Sequence, residues 1–308
     1  MIQIRRILCP IDFSDFSRRA LDHAVAIATW YESTITILHV SAIAPVAAYA
    51  PGPAIVPSAV LTREDRDQLR ASMRRFAEAE GRSRVPLEFE IREGSAAAEI
   101  LALAASVPTD LIVMGTHGRS GFERLLLGSV TEKVLRKAAC PVLSVPRHIP
   151  DVVPAPAVLF ERILCAIDFA DCSMHALNYA MSLAQEADAR LTVIHVIEAP
   201  LEAPADFHET VFGAPRSLAD YIAAAGEERR ARLIAAVPEA VRAYCTVETM
   251  MPTGKPYREI LRVASEQQSD LIVIGIHGRG AADLLFFGST TQHVVRQAAC
   301  PVLTLRAG

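Results

Sequence analysis

Residues 110–129 read DLIVMGTHGRSGFERLLLGS, and the same pattern returns at residues 270–289 as DLIVIGIHGRGAADLLFFGS. In each stretch an apolar run ends in Gly-x-His-Gly, and nine residues later a Gly-Ser pair begins a run with helical spacing. An apolar run of this length that is bounded by glycine is typical of a buried strand. The stretch therefore predicts a strand, a glycine-rich turn and a helix, which is the unit of an α/β fold.

The similarity extends beyond this stretch and shows that the chain is a tandem repeat. Residues 4–40 match residues 160–196 at 16 of 37 positions, and residues 110–145 match residues 270–305 at 20 of 36 positions. Internal repetition of this kind defines the domain organisation before any other signal. We therefore expect a first domain at 1–146, a proline-rich linker at 147–159 and a second domain at 160–308.

Within each copy, apolar strand patterns alternate with helical patterns. In the first copy the strands are RRILCPI, TITILHV, LEFEI, DLIVMG and PVLSV. The first helix begins at Ser14 or Ser17, and the second runs from Thr62 to about residue 82. The second copy repeats the later strands as LTVIHV, TVETMM, DLIVIG and PVLTL. Five strands with four intervening helices predict a parallel sheet covered on both faces in each copy.

Composition narrows the class of protein. The 308 residues are 51% hydrophobic and 21% charged with a net charge of -4, which excludes disorder and disfavours nucleic acid or an anionic membrane as a partner. The uncharged stretch 33–62 contains several prolines, so it is not expected to span a membrane. The N-terminus lacks the pattern of a signal peptide, and the six cysteines include no CxxC pair. We expect a cytoplasmic protein with buried, reduced thiols.

The glycine-rich turn is the one constellation that predicts chemistry. Glycines just past a strand let backbone N–H groups approach an anion, and a helix start adds further N–H donors and a positive dipole end. The alternative is that the glycines only make tight turns. Their spacing is the same in both copies although the nine residues between them differ, which favours a binding site. The turn is neither a Walker A loop, since GxxxxGK[ST] is absent, nor a Rossmann fingerprint, since the glycines follow the fourth strand.

Acidic residues follow the first strand of each copy. Asp12 and Asp168 come directly after that strand, and in a doubly wound sheet the first and fourth strands flank the ligand crevice. Each carboxylate is a candidate acceptor for a ribose or a base, with Val40 or Val196 as an apolar wall. The alternative is that Asp12 caps the following helix.

The G-2x-G-9x-G-[ST] turn, the aspartate after the first strand and the terminal CPVL strand together resemble the universal stress protein family in its tandem form. The resemblance covers nearly the whole chain. It implies Rossmann-like domains with strand order 3-2-1-4-5, and ATP binding in both copies. The ligand contacts that it implies are Pro10, Ile11, Asp12, Val40, Met114, Gly115, Gly118, Gly128, Ser129 and Val130 in the first copy, and Ala166, Ile167, Asp168, Val196, Ile274, Gly275, Gly278, Gly288, Ser289 and Thr290 in the second.

Cationic and imidazole side chains beside the glycines have weaker signals. Arg119 and Arg279 follow the second glycine and are candidates for pairing with phosphate oxygens, with plain solvation as the alternative. No carboxylate lies near His117 or His277 in the sequence, so we expect no catalytic role for either residue. His39 and His195 are expected to be structural. A metal site at 208–216 is disfavoured because no second spaced ligand pair occurs.

On this resemblance we expect an ATP-binding regulatory protein of the stress response, a nucleotide-dependent switch with Mg²⁺ accompanying the triphosphate. The alternatives are a slow ATP hydrolase or nucleotidyl-transfer enzyme, and a purely structural pairing module. No phosphate lysine or positioned base is evident, so we do not expect an efficient enzyme. The resemblance implies that the last strands pair the two copies within the chain, and it leaves homodimerisation of the tandem chain open. Loops 41–61 and 199–217 differ between the copies and are candidates for binding an unknown protein partner.

Overall fold

The computed structural model of the protein describes residues 2–42, 61–78, 85–116, 127–146, 160–198, 218–276 and 288–306, with the backbone alone over residues 218–225. In the first copy the elements are β1 (Arg6–Ile11), α1 (Asp15–Tyr31), β2 (Thr34–Ser41), α2 (Arg63–Ala77), β3 (Leu87–Glu93), α3 (Ala96–Ser106), β4 (Leu111–Gly115), α4 (Ser129–Lys137) and β5 (Val142–Val145). In the second they are β6 (Arg162–Ala166), α5 (Asp171–Glu186), β7 (Arg190–Ile194), α6 (Leu218–Ala235), α7 (Glu239–Tyr244), β8 (Val247–Met250), α8 (Pro256–Glu266), β9 (Leu271–Gly275), α9 (Ser289–Gln297) and β10 (Val302–Leu305).

The strands form one sheet of ten with the order β3-β2-β1-β4-β5-β10-β9-β6-β7-β8. Neighbouring strands within each copy are parallel, whereas β5 and β10 are antiparallel and join the copies. The mainly parallel α/β class and the tandem repeat are therefore confirmed. Because β4 and β9 run in opposite directions, the carboxyl ends of the first copy's strands and those of the second copy's strands lie at opposite ends of the sheet, measured along the strands.

Both faces of the sheet are buried, as the continuous apolar strands predict. Ile7, Cys9 and Ile11 of β1 pack on one face in a cluster with α1, α2, α5 and α6, while Leu8 packs on the other face with α3, α4, α8 and α9. Each cluster contains residues of both copies. The core is therefore continuous across the joint between the copies.

Helix starts follow the capping signals of the sequence. Of the two serines proposed for α1, Ser14 is the N-cap, and its hydroxyl accepts from the N–H of Ser17 at 3.2 Å. Thr62 and Asp65 form a capping box at the start of α2, in which each side chain accepts from the other residue's backbone N–H. The described part of α2 ends at Ala77, before the expected end near residue 82.

The second copy departs from the expected four-helix pattern. A short helix, α7, lies between α6 and β8, so the described residues of this copy form five helices rather than four. Proline 238 takes the N-cap position of α7, and Val241 packs against the core. Its six residues are too few to show helical periodicity clearly, which is why the sequence pattern does not reveal it.

An aspartate at the start of the fourth strand holds the start of the first strand in each copy. Asp110 Oδ2 accepts from the N–H groups of Arg5 and Arg6 at 2.7 and 2.9 Å. Asp270 accepts from the N–H groups of Glu161 and Arg162 in the same way. Burial raises the pKa of Asp270, while these hydrogen bonds oppose that shift. This paired use of the aspartate of DLIV was not anticipated from the sequence.

Burial favours the protonated form of three cysteine thiols. Burial raises the pKa of Cys140 to about 11 and that of Cys300 to about 12, and it raises the pKa of Cys165 further. A thiol with a raised pKa is a poor nucleophile, in agreement with the buried, reduced thiols expected from the sequence. No helix in the described part of the chain is long and apolar enough to cross a membrane.

His23 of α1 predicts a dependence of stability on pH. It is 4% exposed, its Nδ1 lies 2.8 Å from the carbonyl oxygen of Arg19, and burial lowers its pKa below the usual value of about 6.5. Below about pH 6.5 the unfolded chain therefore binds a proton at this histidine that the folded chain does not bind. The contribution of neutral His23 to the free energy of unfolding is fully present above that pH and decreases as the pH drops further. Thermal unfolding of the parent should show a steeper loss between pH 7 and pH 5 than the His23→Gln variant. Equal slopes would contradict this prediction.

Candidate functional site

The candidate site lies where the sheet reverses its strand order. In the first copy β1 pairs with β2 on one side and with β4 on the other. The strand order therefore reverses at β1, in the middle of this half of the sheet. Crevices at such points, outside the carboxyl ends of the strands, are where open α/β sheets bind ligands. The second copy has the same arrangement around β6, with β7 and β9 as its neighbours.

The helix after the fourth strand starts directly behind the strand's end. The N–H of Gly128 donates to the carbonyl oxygen of Thr116 at 2.7 Å, and the buried hydroxyl of Thr131 donates to the carbonyl oxygen of Gly115 at 2.8 Å. The second copy repeats both bonds, from Gly288 to Ile276 at 3.1 Å and from Thr291 to Gly275 at 2.8 Å. These bonds fix the N-termini of α4 and α9 beside the carboxyl ends of β4 and β9.

The first helical residue at each of these starts is an exposed serine. Ser129 and Ser289 follow the N-cap glycines Gly128 and Gly288, which have no side chain to cap the first N–H groups. A helix N-terminus of this kind presents backbone donors and the positive end of the helix dipole. With the serine hydroxyl, the arrangement can bind an anionic group.

Packing explains two of the glycines. A Cβ on Gly275 would lie 2.9 Å from backbone atoms of Cys172 and Ser173, and one on Gly288 would lie 2.6 Å from the carbonyl oxygen of Ile276. Both distances are shorter than a carbon atom tolerates. Close packing therefore requires glycine at these two positions. This requirement is compatible with an anion site, because both glycines also border the helix start.

Replacement of Gly288 tests this packing. Gly288→Ala should lower the free energy of unfolding by about 1–3 kcal/mol, because its methyl group would collide with backbone. Gly226 in α6 is the matched control, since a Cβ there meets nothing within 4 Å. Gly226→Ala should be neutral or stabilise the protein by up to about 1 kcal/mol through helix propensity. Urea unfolding measures the free energy of unfolding of both variants. Equal values would show that the backbone around Gly288 accommodates a methyl group without cost.

The aspartates after β1 and β6 form local turns. Asp12 Oδ1 accepts from the N–H and the hydroxyl of Ser14 at 3.1 and 2.5 Å, and Asp168 Oδ1 accepts from the N–H of Ala170 at 3.0 Å. Asp12 is therefore not the cap of α1; it supports the cap, Ser14. A carboxylate accepts up to about four hydrogen bonds, so this turn leaves it chemically able to accept others.

An aromatic–histidine pair beside each aspartate was not foreseen. Phe13 and Phe169 have φ values of +64° and +65°, a left-handed conformation that is costly for a bulky residue. Each ring lies against a histidine of the second strand, His39 at 4.8 Å and His195 at 4.7 Å between ring centroids. The same strained turn in two diverged copies marks this loop as one whose shape is retained.

The histidines join the ends of the first two strands. Nδ1 of His39 lies 3.0 Å from the carbonyl oxygen of Ile11, and Nδ1 of His195 lies 2.9 Å from that of Ile167. A carbonyl oxygen only accepts, so each Nδ1 carries the proton. These contacts agree with the structural role expected for both histidines. In addition, guanidinium groups lie over nearby rings, Arg18 over Phe76 and Arg232 over Phe169.

In each copy, the structure places most of the site residues predicted from the sequence at the carboxyl ends of the strands. Ile11, Met114, Ala166, Ile167 and Ile274 are buried, whereas Val40 and Val196 are half-buried. Val196 lies just beyond the end of β7. The residues so placed are Pro10, Ile11, Asp12, Val40, Met114, Gly115, Gly128, Ser129, Val130, Ala166, Ile167, Asp168, Val196, Ile274, Gly275, Gly288, Ser289 and Thr290.

Other predicted residues lie outside the described residues. Among them are the second glycine and the arginine of each turn, with the histidine before them, and the stretch 208–216. Within the described residues no group of three or more His, Cys, Asp or Glu side chains is arranged to hold a metal ion. The positions outside are His117, Gly118, Arg119, His277, Gly278 and Arg279.

Fold and site together define a tandem α/β protein with a candidate anion-binding helix start in each copy. The sequence model of the universal stress protein family matches residues 3–146 and 159–306. The chain therefore belongs to the universal stress protein family, and it contains two copies of the family's domain.

Relatives support the family and the tandem arrangement. A universal stress protein of Methanocaldococcus jannaschii is 39% identical over 142 residues, 46% of this chain and 81% of that protein. A universal stress protein of Mycolicibacterium smegmatis is 27% identical over 307 residues, 97% of this chain and 96% of that protein. The crystal structure of a universal stress protein from Archaeoglobus fulgidus has a TM-score of 0.70 at 23% identity and covers both chains fully. The last likeness shows the shared fold.

Proposed function

We propose that the protein is an ATP-binding regulator of the stress response, with one nucleotide site in each copy. The observation that carries the proposal is the helix start fixed behind the fourth strand by the Thr131–Gly115 and Thr291–Gly275 hydrogen bonds. An aspartate lies at the end of the neighbouring strand in both copies. Nucleotide occupancy is the signal in this proposal, and an unknown protein partner reads it.

The phosphates bind at the helix start. Ser129, the first residue of α4, is exposed at the positive end of the helix, and Ser289 has the same position in α9. In the described part of the chain, the N-cap of neither helix makes a side-chain hydrogen bond that would compete for the backbone N–H donors of the first turn. Gly118 and Gly278 let the turn approach the phosphates, and Arg119 and Arg279 pair with their oxygens.

The nucleoside binds at the ends of the first two strands. Asp12 and Asp168 accept hydrogen bonds from the ribose, and Val40 and Val196 provide an apolar wall for the base. The strained turn at Phe13 supports this assignment, because its ring and His39 hold the end of β1 against β2 beside the aspartate. A rigid wall lowers the entropy lost when the nucleoside is ordered.

Magnesium accompanies the triphosphate. Mg²⁺ commonly keeps several waters and binds through substrate phosphates with few protein ligands, so it needs no dedicated group of carboxylates. The ion would reduce the charge that the helix start has to neutralise. We assign no catalytic residue, and we expect ATP turnover to be very slow. The protein acts in the cytoplasm in this proposal.

Calorimetric titration of the purified chain with Mg-ATP tests the proposal. The parent should show two binding events, and Gly118→Val and Gly278→Val should each abolish one of them, because a branched side chain blocks the approach of the backbone to a phosphate. Gly226→Ala, at a position with open space around it, is the control and should retain both. A free Mg-ATP concentration of about 100 times Kd should raise the free energy of unfolding by about 2.7 kcal/mol per site.

Phosphate release is followed in the same samples. Two events without turnover support the switch, whereas steady release that the valine variants abolish would establish the hydrolase alternative. Absence of binding by the parent would refute nucleotide binding and leave a structural pairing module.

A further inference from the structure

The strands of the two copies run in opposite directions, and one helix of each copy, α4 and α9, lies beside the joint between the copies. Helix α4 begins at the first candidate site and ends at Lys137, and α9 begins at the second site and ends at Gln297. Arg296 in the last turn of α9 reaches the first turn of α4, where its Nη2 lies 3.5 Å from Oε2 of Glu132. An ion pair thus crosses from the second copy to the helix start of the first.

The two copies differ in charge at this place. Residue 292 is the equivalent of Glu132, and it is an uncharged glutamine. The first turn of α4 therefore carries an acid, whereas the first turn of α9 carries none. The arginine, in contrast, is retained as Arg136 and Arg296. Arg136 lies 4.0 Å from Glu132 of its own helix.

An acid in the first helical turn affects an anion site in a definite way. A carboxylate there complements the dipole of the empty helix and repels an anion that approaches the same end. Neutralisation by a neighbouring guanidinium removes part of that repulsion. Glu132 and Arg296 have side chains that are 30% and 36% exposed, so solvent weakens this interaction but does not abolish it.

We propose that Arg296 of the second copy sets the phosphate affinity of the first copy's site by neutralising Glu132. The two sites are then unequal, since the second has no acid to neutralise, and the first depends on a contact that the other copy supplies. A shift of α9 that moves Arg296 away from Glu132 lowers anion affinity at the first site. This inference rests on the proposed function, because it concerns the regulation of the same sites.

A double-mutant cycle on the full chain tests the inference. Mg-ATP is titrated in the Gly278→Val background, which retains the first site, and in the Gly118→Val background, which retains the second. In the first background, Arg296→Gln should weaken binding about two- to fivefold at low salt, and Glu132→Gln should strengthen it by a similar factor. In the Glu132→Gln background the effect of Arg296→Gln should be clearly smaller, because the guanidinium is no longer held at the start of α4. The factors should shrink as the salt concentration rises.

Arg230→Gln is the matched control. It makes the same change of charge in the same copy, and it removes an ion pair with Glu227 within α6. The control should leave the first site unchanged, and Arg296→Gln should leave the second site unchanged.

Three results separate the outcomes. An Arg296→Gln effect that persists undiminished without Glu132, or that equals the Arg230→Gln effect, overturns the inference while nucleotide binding stands. An equal effect on both sites overturns it as well. Absence of binding by the parent refutes the proposed function itself and the inference with it.

Discussion

The Leu303→Asp variant is expected to lose the joint between the two copies, with a decrease of more than about 4 kcal/mol in the free energy of unfolding. Leu303 of β10 lies directly opposite Leu143 of β5, and the two side chains are 3% and 1% exposed. A carboxylate at this position would be buried among apolar side chains. The neighbouring hydroxyls are already committed, since Ser144 donates to the carbonyl oxygen of Val302 and Thr304 to that of Val142.

Urea unfolding followed by circular dichroism measures this effect. Leu303→Ile, which conserves volume, is the control and should cost less than about 1.5 kcal/mol. If the aspartate variant proves as stable as the isoleucine variant, the β5–β10 joint is not a buried part of the fold. Loss of cooperativity in the aspartate variant would instead show that the copies unfold separately once the joint is broken.

The Phe160→Ala variant has the second large expected effect, a loss of about 3–5 kcal/mol. Phe160 lies two residues before the first residue of the second copy's first strand and is completely buried. The centroid of its ring lies 5.7 Å from the ring centroid of Trp30 and 6.1 Å from that of His23, and both residues belong to α1 of the first copy. Truncation to alanine removes these contacts and leaves a cavity between the copies.

Trp30 is the only tryptophan of the chain, so its fluorescence reports directly on this contact. Phe160→Ala should change the emission of the folded protein as well as its stability. Phe89 in the edge strand β3 is only partly buried, and Phe89→Ala serves as a control with a smaller cost and unchanged emission. A Phe160→Ala variant that loses no more stability than Phe89→Ala would contradict the assignment of Phe160 as an anchor between the copies.

The sequence predicts the α/β class and the repeat because both depend on local signals. Continuous apolar runs such as LCPI and LIVMG are buried on both faces, which the strands of a covered parallel sheet require. Capping residues such as Thr62 also act within a few positions along the chain. The short helix α7 escapes prediction because its six residues, fewer than two turns, carry too little periodicity.

Contacts between distant segments could not be read from the sequence. The Asp110 bonds to the first strand span more than 100 residues, and the Glu132–Arg296 pair spans more than 160. The left-handed turn at Phe13 contradicts the ordinary preference of a bulky residue, so propensity alone argues against it. At the candidate site the motif predicts Gly275 and Gly288, but only the structure shows that packing against backbone atoms requires glycine at both positions.

The pairing of β5 with β10 within one chain has a consequence for how the copies can diverge. Two separate subunits associate according to their concentration, whereas strands joined by a short linker meet at an effective concentration in the millimolar range. Dilution therefore does not dissociate this joint. In a symmetric homodimer every substitution at the interface appears twice, but in the fused chain it appears once. Glu132 in the first copy, where the second copy has Gln292, is such a difference, and only covalent fusion lets a single gene encode it.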